Sequence, residues 1–267
     1  MESFNGKVER VDNSLSRFDQ FYLGHYGARW DTLKKALLHP AEKTLRSCFN
    51  GYADYRMDAA SIIAARALAV KAGDQVLDLC AAPGGKTLIL AESIGSTGLL
   101  VANELSSARR LRLKEVVDSH VPADVRSKIQ ITSFDGNQFG LKKPNTFDRI
   151  LLDAPCSSEQ HLLEDDPIQK DWKESRTKQL AMRQYSLLCS ALLALKPGGT
   201  MVYSTCSISP LENDGVIERL LSRKEGQVAL DLESPDFTFE KTKFGVQIFP
   251  DHHEGVGPIY FSRLKKL

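Results

Sequence analysis

From Asp74 onward, the sequence alternates short apolar runs with longer stretches of helical periodicity. Strands that alternate with helices form βαβ units, whose parallel strands are covered by the helices. The alternation therefore predicts an α/β fold with a mostly parallel sheet. The runs are rich in leucine or β-branched residues and lie at Gln75–Leu79, Leu99–Asn103, Ile129–Thr132, Arg149–Asp153 and Met201–Ser204.

The last two apolar segments, Gly245–Phe249 and Gly257–Leu264, are also predicted to be strands and to form an antiparallel edge of the sheet. Between them and the parallel part, the segment after Cys206 has the features of a helix start. Ser209 is a good N-cap, Pro210 suits the first turn, and Glu212 completes a capping box.

The region before Asp74 is predicted to be helical, because apolar residues recur at helical spacing across 14–50. Ser14–Tyr22 and Trp30–Leu38 are the two clearest segments, and Pro40 is expected to end the second. A third helix, Ala59–Val70, is almost entirely aliphatic or alanine and should be buried. We therefore divide the chain into a helical N-terminal extension, residues 1–72, and a main domain, residues 73–267.

The composition restricts the class of protein without naming its function. The formal net charge is only +1, from 35 basic and 34 acidic residues, so any surface that binds nucleic acid must be local. No apolar stretch approaches the roughly 20 residues of a membrane-spanning helix. The five cysteines are odd in number and include no CxxC pair, which disfavours a disulfide framework or a zinc ribbon and fits a reducing compartment.

The first ten residues lack the apolar centre of a secretion signal and contain two acidic residues, which are rare in mitochondrial presequences. We expect a cytoplasmic protein if the source is bacterial. The alternative is the mitochondrial matrix, if a presequence is missing from the printed sequence.

Two cysteines lie in small-residue turns directly after strand-like runs. Cys156 follows the run 147–153, and Cys206 follows the run 199–204. Side chains just past the carboxyl ends of parallel strands face the ligand crevice. If the two strands are neighbours, both thiols and Asp153 share one pocket. Because a thiolate is a strong nucleophile, this arrangement suggests covalent chemistry on an electrophilic carbon.

A glycine-rich turn, Leu77–Thr87, joins the first strand of the main domain to its helix. It fails as a phosphate-binding P-loop, because Cys80 stands where a glycine is required, and it contains no GxGxxG. A tight turn without a ligand is one interpretation. However, Glu104 at the end of the second strand is positioned for ribose hydroxyls, and Asp135-Gly136 after the third strand for a base. Together these features predict a nucleoside pocket.

Three segments, Asp78–Thr87, Asp153–Ser158 and Ser204–Ser207, resemble the signature segments of the Nol1/Nop2/Sun RNA cytosine-5 methyltransferases. The spacing of 50 residues between the two cysteines is also similar. The segments 18–22 and 257–267 look most like the mitochondrial ribosomal-RNA branch. The resemblance implies a Rossmann-like class I methyltransferase fold, with residues 73–267 as the catalytic domain.

By this resemblance the cofactor is S-adenosylmethionine. Glu104 stands where that branch has an aspartate, and it should still accept two hydroxyl hydrogen bonds. For Lys86 and Arg109, the alternative interpretation is ordinary surface charge. The cofactor contacts that the resemblance implies are Ala81, Ala82, Pro83, Gly84, Gly85, Lys86, Glu104, Arg109, Asp135, Gly136 and Asp153.

Carbon 5 of cytosine is too weak a nucleophile to take a methyl group directly, but addition of a thiolate at carbon 6 makes it enamine-like. Cys206 is the candidate for that thiolate. Asp153 is the candidate group at N3 of the base. The resemblance assigns Cys156 to the release step that follows methyl transfer.

The implied substrate is a structured RNA, with ribosomal RNA favoured over transfer RNA. The alternatives are the same chemistry on transfer RNA, or a methyltransferase-like module that serves as an RNA-binding or ribosome-assembly factor. The chain shows no appended RNA-binding domain of the kind that some members carry. We therefore expect weak, salt-sensitive RNA binding unless a protein partner adds affinity.

The remaining chemistry-bearing residues support weaker hypotheses. His161 could pair with Cys156 in a Cys–His protease, but that interpretation gives no role to Cys206. The segment 251–254 could bind a metal, although adjacent loop histidines rarely share one ion, so we predict no metal partner. We predict no membrane partner either, because no apolar stretch is long enough to span one. Cys48, Cys80 and Cys189 are interpreted as small buried apolar residues.

Overall fold

The N-terminal region combines helices with a small antiparallel hairpin. The computed structural model describes residues 15–39, 41–95, 97–164, 171–231, 239–253 and 255–267. Its first elements are α1 (Arg17–Tyr26), a 3₁₀ turn (Gly27–Arg29), α2 (Trp30–Leu37), β1 (Lys43–Arg46), β2 (Tyr55–Asp58) and α3 (Ala59–Arg66).

The prediction of helix across 14–50 is therefore wrong at β1. This short strand is mostly exposed and has little apolar pattern of its own. It forms because it pairs with β2 and because the Arg46 guanidinium forms an ion pair with Glu92 of the main domain. Such long-range contacts override local propensity in short strands. Pro40, which was expected to end the second helix, lies outside the described residues.

Five parallel strands form the half of the main sheet that contains the predicted ligand crevice. They are β3 (Gln75–Asp78), β4 (Leu99–Asn103), β5 (Ile129–Thr132), β6 (Phe147–Asp153) and β7 (Leu195–Thr205). Their spatial order is β5-β4-β3-β6-β7, so the chain reverses its direction of winding between β3 and β6. Ligands of open α/β sheets bind outside the carboxyl ends of the strands at such a switch point.

The other half of the sheet is antiparallel, as predicted. It contains β8 (Val228–Leu230), β9 (Glu240–Lys241), β10 (Val246–Ile248) and β11 (Ile259–Lys266). β11 pairs with β7, and β8 and β10 pair with different parts of β11. The mostly parallel sheet with an antiparallel edge is therefore confirmed.

Helices cover both faces of the sheet because alternate strand residues are apolar on opposite sides. Val76, Leu151 and Val202 face one cluster with α3 and α4, whereas their neighbours Leu77, Leu152 and Tyr203 face another cluster. The remaining helices are α4 (Gly85–Ser93), α5 (Ser107–His120), α6 (Ala123–Arg126), α7 (Gly136–Lys142), α8 (Glu159–Glu164), α9 (Glu174–Ala194) and α10 (Asp214–Arg223). Among the described residues, no helix is both long enough and apolar enough to cross a bilayer.

The predicted burial of α3 is confirmed, because Ala60, Ala64 and Ala65 are buried against the sheet. The helix ends at Arg66, four residues before its predicted end. The division of the chain at residues 72 and 73 stays a prediction.

The helix start predicted after Cys206 is wrong. Residues 210–213 form turns, and α10 begins only at Asp214. The carboxylate of Glu212 is fully buried and accepts hydrogen bonds from the 157 amide and from Gln184, so it does not form a capping box. A buried carboxylate requires hydrogen-bond partners, and tertiary partners took precedence over the local cap.

The N-terminal helices are attached to the main domain by a third apolar cluster. Phe18, Tyr22 and Trp30 pack there, and the indole of Trp30 donates a hydrogen bond to Asp19. The cluster also contains Ile208, two residues beyond Cys206. The other members of the cluster are Leu33, Leu37, Leu162, Leu163, Trp172 and Phe249.

We predict that Phe18→Ala lowers the free energy of unfolding by about 3–5 kcal/mol, because it removes a fully buried ring from this cluster. Urea unfolding followed by tryptophan fluorescence measures the change. Leu23→Ala on the same helix is the control, since Leu23 is 39% exposed and should cost well under 1 kcal/mol. Equal losses in both variants would contradict this account of the cluster.

Candidate active site

Two cysteine thiols meet at the carboxyl ends of β6 and β7. The two strands are adjacent and parallel, and Asp153 lies opposite Ser204 in their register. The Cys206 sulfur lies 3.0 Å from the Cys156 sulfur and 3.0 Å from the Ser158 hydroxyl. The expectation that the strands are neighbours and bring both thiols to one site is confirmed.

The two thiols differ in their acidity. The pKa of Cys206 is lowered, because hydrogen bonds from Cys156 and Ser158 stabilise its thiolate and outweigh the effect of desolvation. The pKa of Cys156 is raised well above its usual value, because Cys156 donates a hydrogen bond to Cys206 and because it is desolvated. Cys206 is also the more exposed of the two. The pair therefore consists of one thiol that ionises more readily than usual and one that ionises less readily.

Asp153 connects the thiols to the glycine-rich turn. Its carboxylate accepts hydrogen bonds from the Lys86 ammonium and the Ser204 hydroxyl, both at 2.8 Å. Lys86 also donates to Ser61 of α3 at 3.1 Å, and its side chain is only 14% exposed. Although burial lowers the pKa of Lys86, the Asp153 charge raises it, so the ammonium stays protonated. Interpreting Lys86 as a solvated surface residue is therefore wrong.

The glycine-rich turn has a shape that larger residues could not adopt. Gly84 has φ of +121°, and a side chain there would collide with Leu113 and Val116 of α5. A Cβ on Gly85 would lie 2.9 Å from the Tyr55 ring. Ala81, Ala82 and Pro83 complete the turn between β3 and α4. The backbone therefore passes close to the floor of a cavity.

Asp78, at the end of β3, is fully buried under this turn. One carboxylate oxygen accepts a hydrogen bond from the Thr87 hydroxyl at 2.7 Å. The other has no partner among the described residues, although Asp78 lines the cavity. Burial raises its pKa to about 7. Asp78 was not among the site residues predicted from the sequence, although its position at the end of β3 was a signal for it.

Glu104 and Arg109 form a pair at the end of β4. The Glu104 carboxylate is buried, accepts the Ser106 amide at 2.9 Å and lies 3.2 Å from the Arg109 guanidinium. Arg109 also donates to the Ala82 carbonyl at 2.8 Å. It therefore bridges the turn and the acid, so it is more than surface charge.

Asp135 and Gly136 lie at the end of β5, beside the loop that follows β4. One Asp135 oxygen accepts the Asn137 amide at 3.0 Å and thereby caps α7. Gly136 is buried against Leu187, where a Cβ would collide at 2.7 Å. Asn103 connects the neighbouring loops by donating to the carbonyls of residues 79 and 134. The ends of β3, β4 and β5 therefore form one continuous edge.

A cavity of about 230 Å³ lies between the glycine-rich turn and the N-terminal hairpin. Asp78, Lys86 and Asp153 line it from the main domain. The opposite wall was not predicted from the sequence, because it has no motif of its own. That wall consists of Lys43, Tyr55, Arg56, Met57 and Ser61.

Two buried carboxylates hold the cysteine-bearing turns together. Glu159 accepts hydrogen bonds from the Ser157 and Ser207 hydroxyls, the residues that follow the two cysteines. It also accepts the Ile208 amide at 3.0 Å and the Tyr22 hydroxyl of α1 at 2.6 Å. The turns are thus linked to each other and to the N-terminal helices.

Glu212 provides the second link. Its carboxylate accepts the Ser157 amide at 3.0 Å and the Gln184 side chain at 2.7 Å. Burial and the nearby Glu159 charge raise its pKa to about 7, although the hydrogen bonds oppose the shift. Neither carboxylate was recognised from sequence as part of the site.

The weaker hypotheses receive no support from the described residues. His161 is 79% exposed and contacts Glu164 at 3.3 Å. Asp251 forms an ion pair with Arg29, while Glu254 lies outside the described residues. In the part of the chain that the structure describes, no group of three potential metal ligands is found. Burial raises the pKa values of Cys48 and Cys80 to about 12, which disfavours their thiolate forms near neutral pH.

The chain is similar in sequence to known RNA methyltransferases. The family model described as "16S rRNA methyltransferase RsmB/F" matches residues 65–265. The "5-cytosine rRNA methyltransferase NSUN4" of Bos taurus is 38% identical over 229 residues, covering 80% of this chain and 59% of that protein. The "tRNA (cytosine(34)-C(5))-methyltransferase, mitochondrial" of Danio rerio is 38% identical over 224 residues, covering 80% and 60%.

A solved structure, described as "The crystal structure of NSun6 from Pyrococcus horikoshii with SFG", is also similar. It has a TM-score of 0.69 and 25% identity, and the match covers 83% of this chain and 55% of that one. With the strand order described above, this similarity confirms the Rossmann-like class I methyltransferase fold. The chain spans about 60% of the length of the two curated relatives.

We predict that Glu212→Gln becomes relatively more stable than the wild type as pH rises. Because the pKa of Glu212 is raised on folding, ionisation costs stability as pH rises through about 7. The free energy of unfolding of Glu212→Gln, minus that of the wild type, should increase by roughly 2 kcal/mol between pH 5 and pH 8. Urea titrations at both pH values measure it.

Glu218→Gln, at an exposed ion pair on α10, is the matched control, and its difference from the wild type should stay nearly constant with pH. A pH-independent difference for Glu212→Gln would contradict the raised pKa.

Proposed function

The chain belongs to the RsmB/F family of 16S rRNA methyltransferases, and from that membership we propose that it transfers a methyl group from S-adenosylmethionine to carbon 5 of a cytosine in RNA. The observation that carries this proposal is a pair of thiols 3.0 Å apart, beside the Asp153–Lys86 pair. The pKa of one thiol is lowered and that of the other is raised. Carbon 5 methylation needs a nucleophile for carbon 6 and a separate group for release, and this pair supplies both.

The residues at the ends of β3, β4 and β5 fit the proposed cofactor. The unpaired buried oxygen of Asp78 offers an acceptor for a donor in the cavity. Gly85 lines the cavity, and Glu104 offers a carboxylate for ribose hydroxyls. When bound, S-adenosylmethionine supplies an electrophilic methyl group. We propose that the turn 81–86, Glu104, Arg109, Asp135, Gly136 and Asp153 hold it.

Cys206 is the proposed nucleophile. Its lowered pKa increases the thiolate fraction, and its exposure lets a base approach. Addition of the thiolate to carbon 6 places negative charge on the ring, and carbon 5 becomes the nucleophile. Asp153 is proposed to orient the base at N3, and the Lys86 ammonium stabilises charge that develops there.

Cys156 is proposed to accept the carbon 5 proton after methyl transfer. While Cys206 is a thiolate, its hydrogen bond from Cys156 keeps that thiol protonated. Once the Cys206 sulfur is bonded to carbon 6, it no longer carries the charge, and the main cause of the raised Cys156 pKa is removed. Cys156 can then release its own proton to solvent and, as a thiolate, take the proton from carbon 5. The carbon 5–carbon 6 double bond re-forms, and the Cys206 thiolate leaves.

Ribosomal RNA is the proposed substrate, supported by the description of the family and of the Bos taurus relative. Transfer RNA is the second candidate, supported by the Danio rerio relative. Because the net charge is only +1, we propose that a protein partner adds RNA affinity. The mitochondrial matrix is the proposed compartment, supported by the description of that second relative. A cytoplasmic location stays the prediction for a bacterial source.

We predict that saturating S-adenosylmethionine raises the melting temperature, whereas ATP and NAD do not. A ligand at one hundred times its Kd stabilises the native state by about 2.7 kcal/mol, or roughly 5–10 °C for a protein of this size. Differential scanning fluorimetry measures the shift. A shift with ATP but none with the methyl donor would refute the assignment of the cofactor.

We predict that the two cysteine variants fail at different steps. Cys206→Ala should abolish methylation and form no adduct, because no thiolate adds to carbon 6. Cys156→Ala should still add and transfer the methyl group, but it should leave RNA trapped on Cys206. Incubation with total RNA and labelled cofactor, followed by a denaturing gel and bisulfite sequencing, distinguishes adduct from product and identifies the methylated RNA.

Cys189→Ala is the control, since this half-buried cysteine lies on α9 outside the site, and it should retain activity. An adduct formed through Cys156, or activity without Cys206, would overturn the assigned roles. RNA binding without methylation by the wild type would favour the assembly-factor alternative.

A further inference from the structure

The β1–β2 hairpin forms a wall of the cavity that contains Lys86 and Asp153. Three contacts hold it there. Arg46 pairs with Glu92 of α4, the Tyr55 ring lies against Gly85, and Met57 is buried in the main core. These contacts all come from one face of the hairpin, so its other face is held in a fixed position beside the cavity.

The hairpin face opposite to these three contacts carries two cations that have no hydrogen-bond or ion-pair partner among the described residues. In the antiparallel register, Lys43 lies opposite Asp58 and Leu45 lies opposite Arg56, which places these four residues on the same face. Lys43, Leu45 and Arg56 are exposed. Among the described residues, neither Lys43 nor Arg56 makes a side-chain hydrogen bond or an ion pair, whereas Arg46 and Lys86 are both paired.

Asp58, the acidic residue on this face, makes no hydrogen bond to either cation, although its charge interacts with that of Lys43. The carboxylate of Asp58 is turned toward the backbone, where it accepts the Ala60 amide at 2.8 Å and the Gly257 amide at 3.1 Å. Lys43 and Arg56 are therefore two exposed cations at the mouth of the cavity, although the whole chain has a net charge of only +1.

We propose that Lys43 and Arg56 bind the RNA phosphates that flank the target cytosine. This inference rests on the proposed function. A base that reacts at the two thiols must leave its stack and enter the site, so its flanking phosphates remain at the entrance. Two fixed cations there neutralise these phosphates and position the strand without reading its sequence. The exposed Leu45 between them offers an apolar surface to a neighbouring base or sugar.

The other anion that could occupy this position is the carboxylate of the cofactor, because both cations also line the cavity. The two assignments predict that removal of the two cations weakens the binding of different ligands. A phosphate site affects RNA affinity and its dependence on salt, whereas a carboxylate site affects the affinity for S-adenosylmethionine.

The test compares two double variants that each remove one lysine and one arginine from exposed positions. Lys43→Ala/Arg56→Ala changes the hairpin. Arg66→Ala/Lys71→Ala is the matched control, because Arg66 ends α3 and Lys71 precedes β3 at the opposite end of the sheet. Neither control side chain makes a hydrogen bond or ion pair in the described part of the chain. Thermal melts verify that both variants fold.

Three quantities are measured for each protein: the Kd for a fluorescein-labelled single-stranded RNA of 20 nucleotides between 50 and 300 mM salt, the Kd for S-adenosylmethionine, and the KM for total RNA. We expect the hairpin variant to lose about tenfold or more in RNA affinity at low salt. The slope of log Kd against log salt should fall by about 1.4. The Kd for S-adenosylmethionine should not change.

Equal RNA affinities for the hairpin variant and the control would overturn the inference, as would a loss confined to S-adenosylmethionine. Failure of the proposed function is separate, because then the wild-type protein itself would not methylate total RNA.

Discussion

The parallel pairing of β6 with β7 is the constraint on which the site depends. It sets Asp153 opposite Ser204, and the hydrogen bond between their side chains fixes the ends of both strands. Each strand then continues into a turn that carries a cysteine, so two thiols 50 residues apart in sequence meet at 3.0 Å. Because the side-chain direction in a strand alternates with every residue, a shift of one residue in this register would send the aspartate to the opposite face of the sheet.

Two buried carboxyl groups hold the turns beyond the strands. Glu159 and Glu212 are fully buried, and between them they accept hydrogen bonds from Ser157, Ser207 and the amide of Ile208. Burying a carboxylate is costly unless it is hydrogen-bonded, so these contacts define one geometry for the turns and disfavour others. The Tyr22 hydroxyl joins the same network and makes α1 part of the support for the cysteines.

The electrostatics of the site follow from the distances within it. Hydrogen bonds to one sulfur lower the pKa of Cys206, and donation of such a bond raises the pKa of Cys156. Two chemically identical side chains therefore acquire different acidities from their positions. Lys86 is similarly specialised, because its ion pair with Asp153 keeps an ammonium inside the site where burial alone would favour the neutral amine.

The strand segments of the parallel sheet, its antiparallel edge and the turns that carry both cysteines could be predicted from the sequence, because hydrophobic periodicity is a local signal. Other features depend on contacts between residues that are distant in the sequence. The β1–β2 hairpin depends on contacts with Glu92 and Gly85, which lie tens of residues away. Glu212 matched a capping box in sequence, yet burial directed its carboxylate to the 157 amide. The unequal acidity of the two thiols likewise depends on atoms that only folding brings within 3.0 Å.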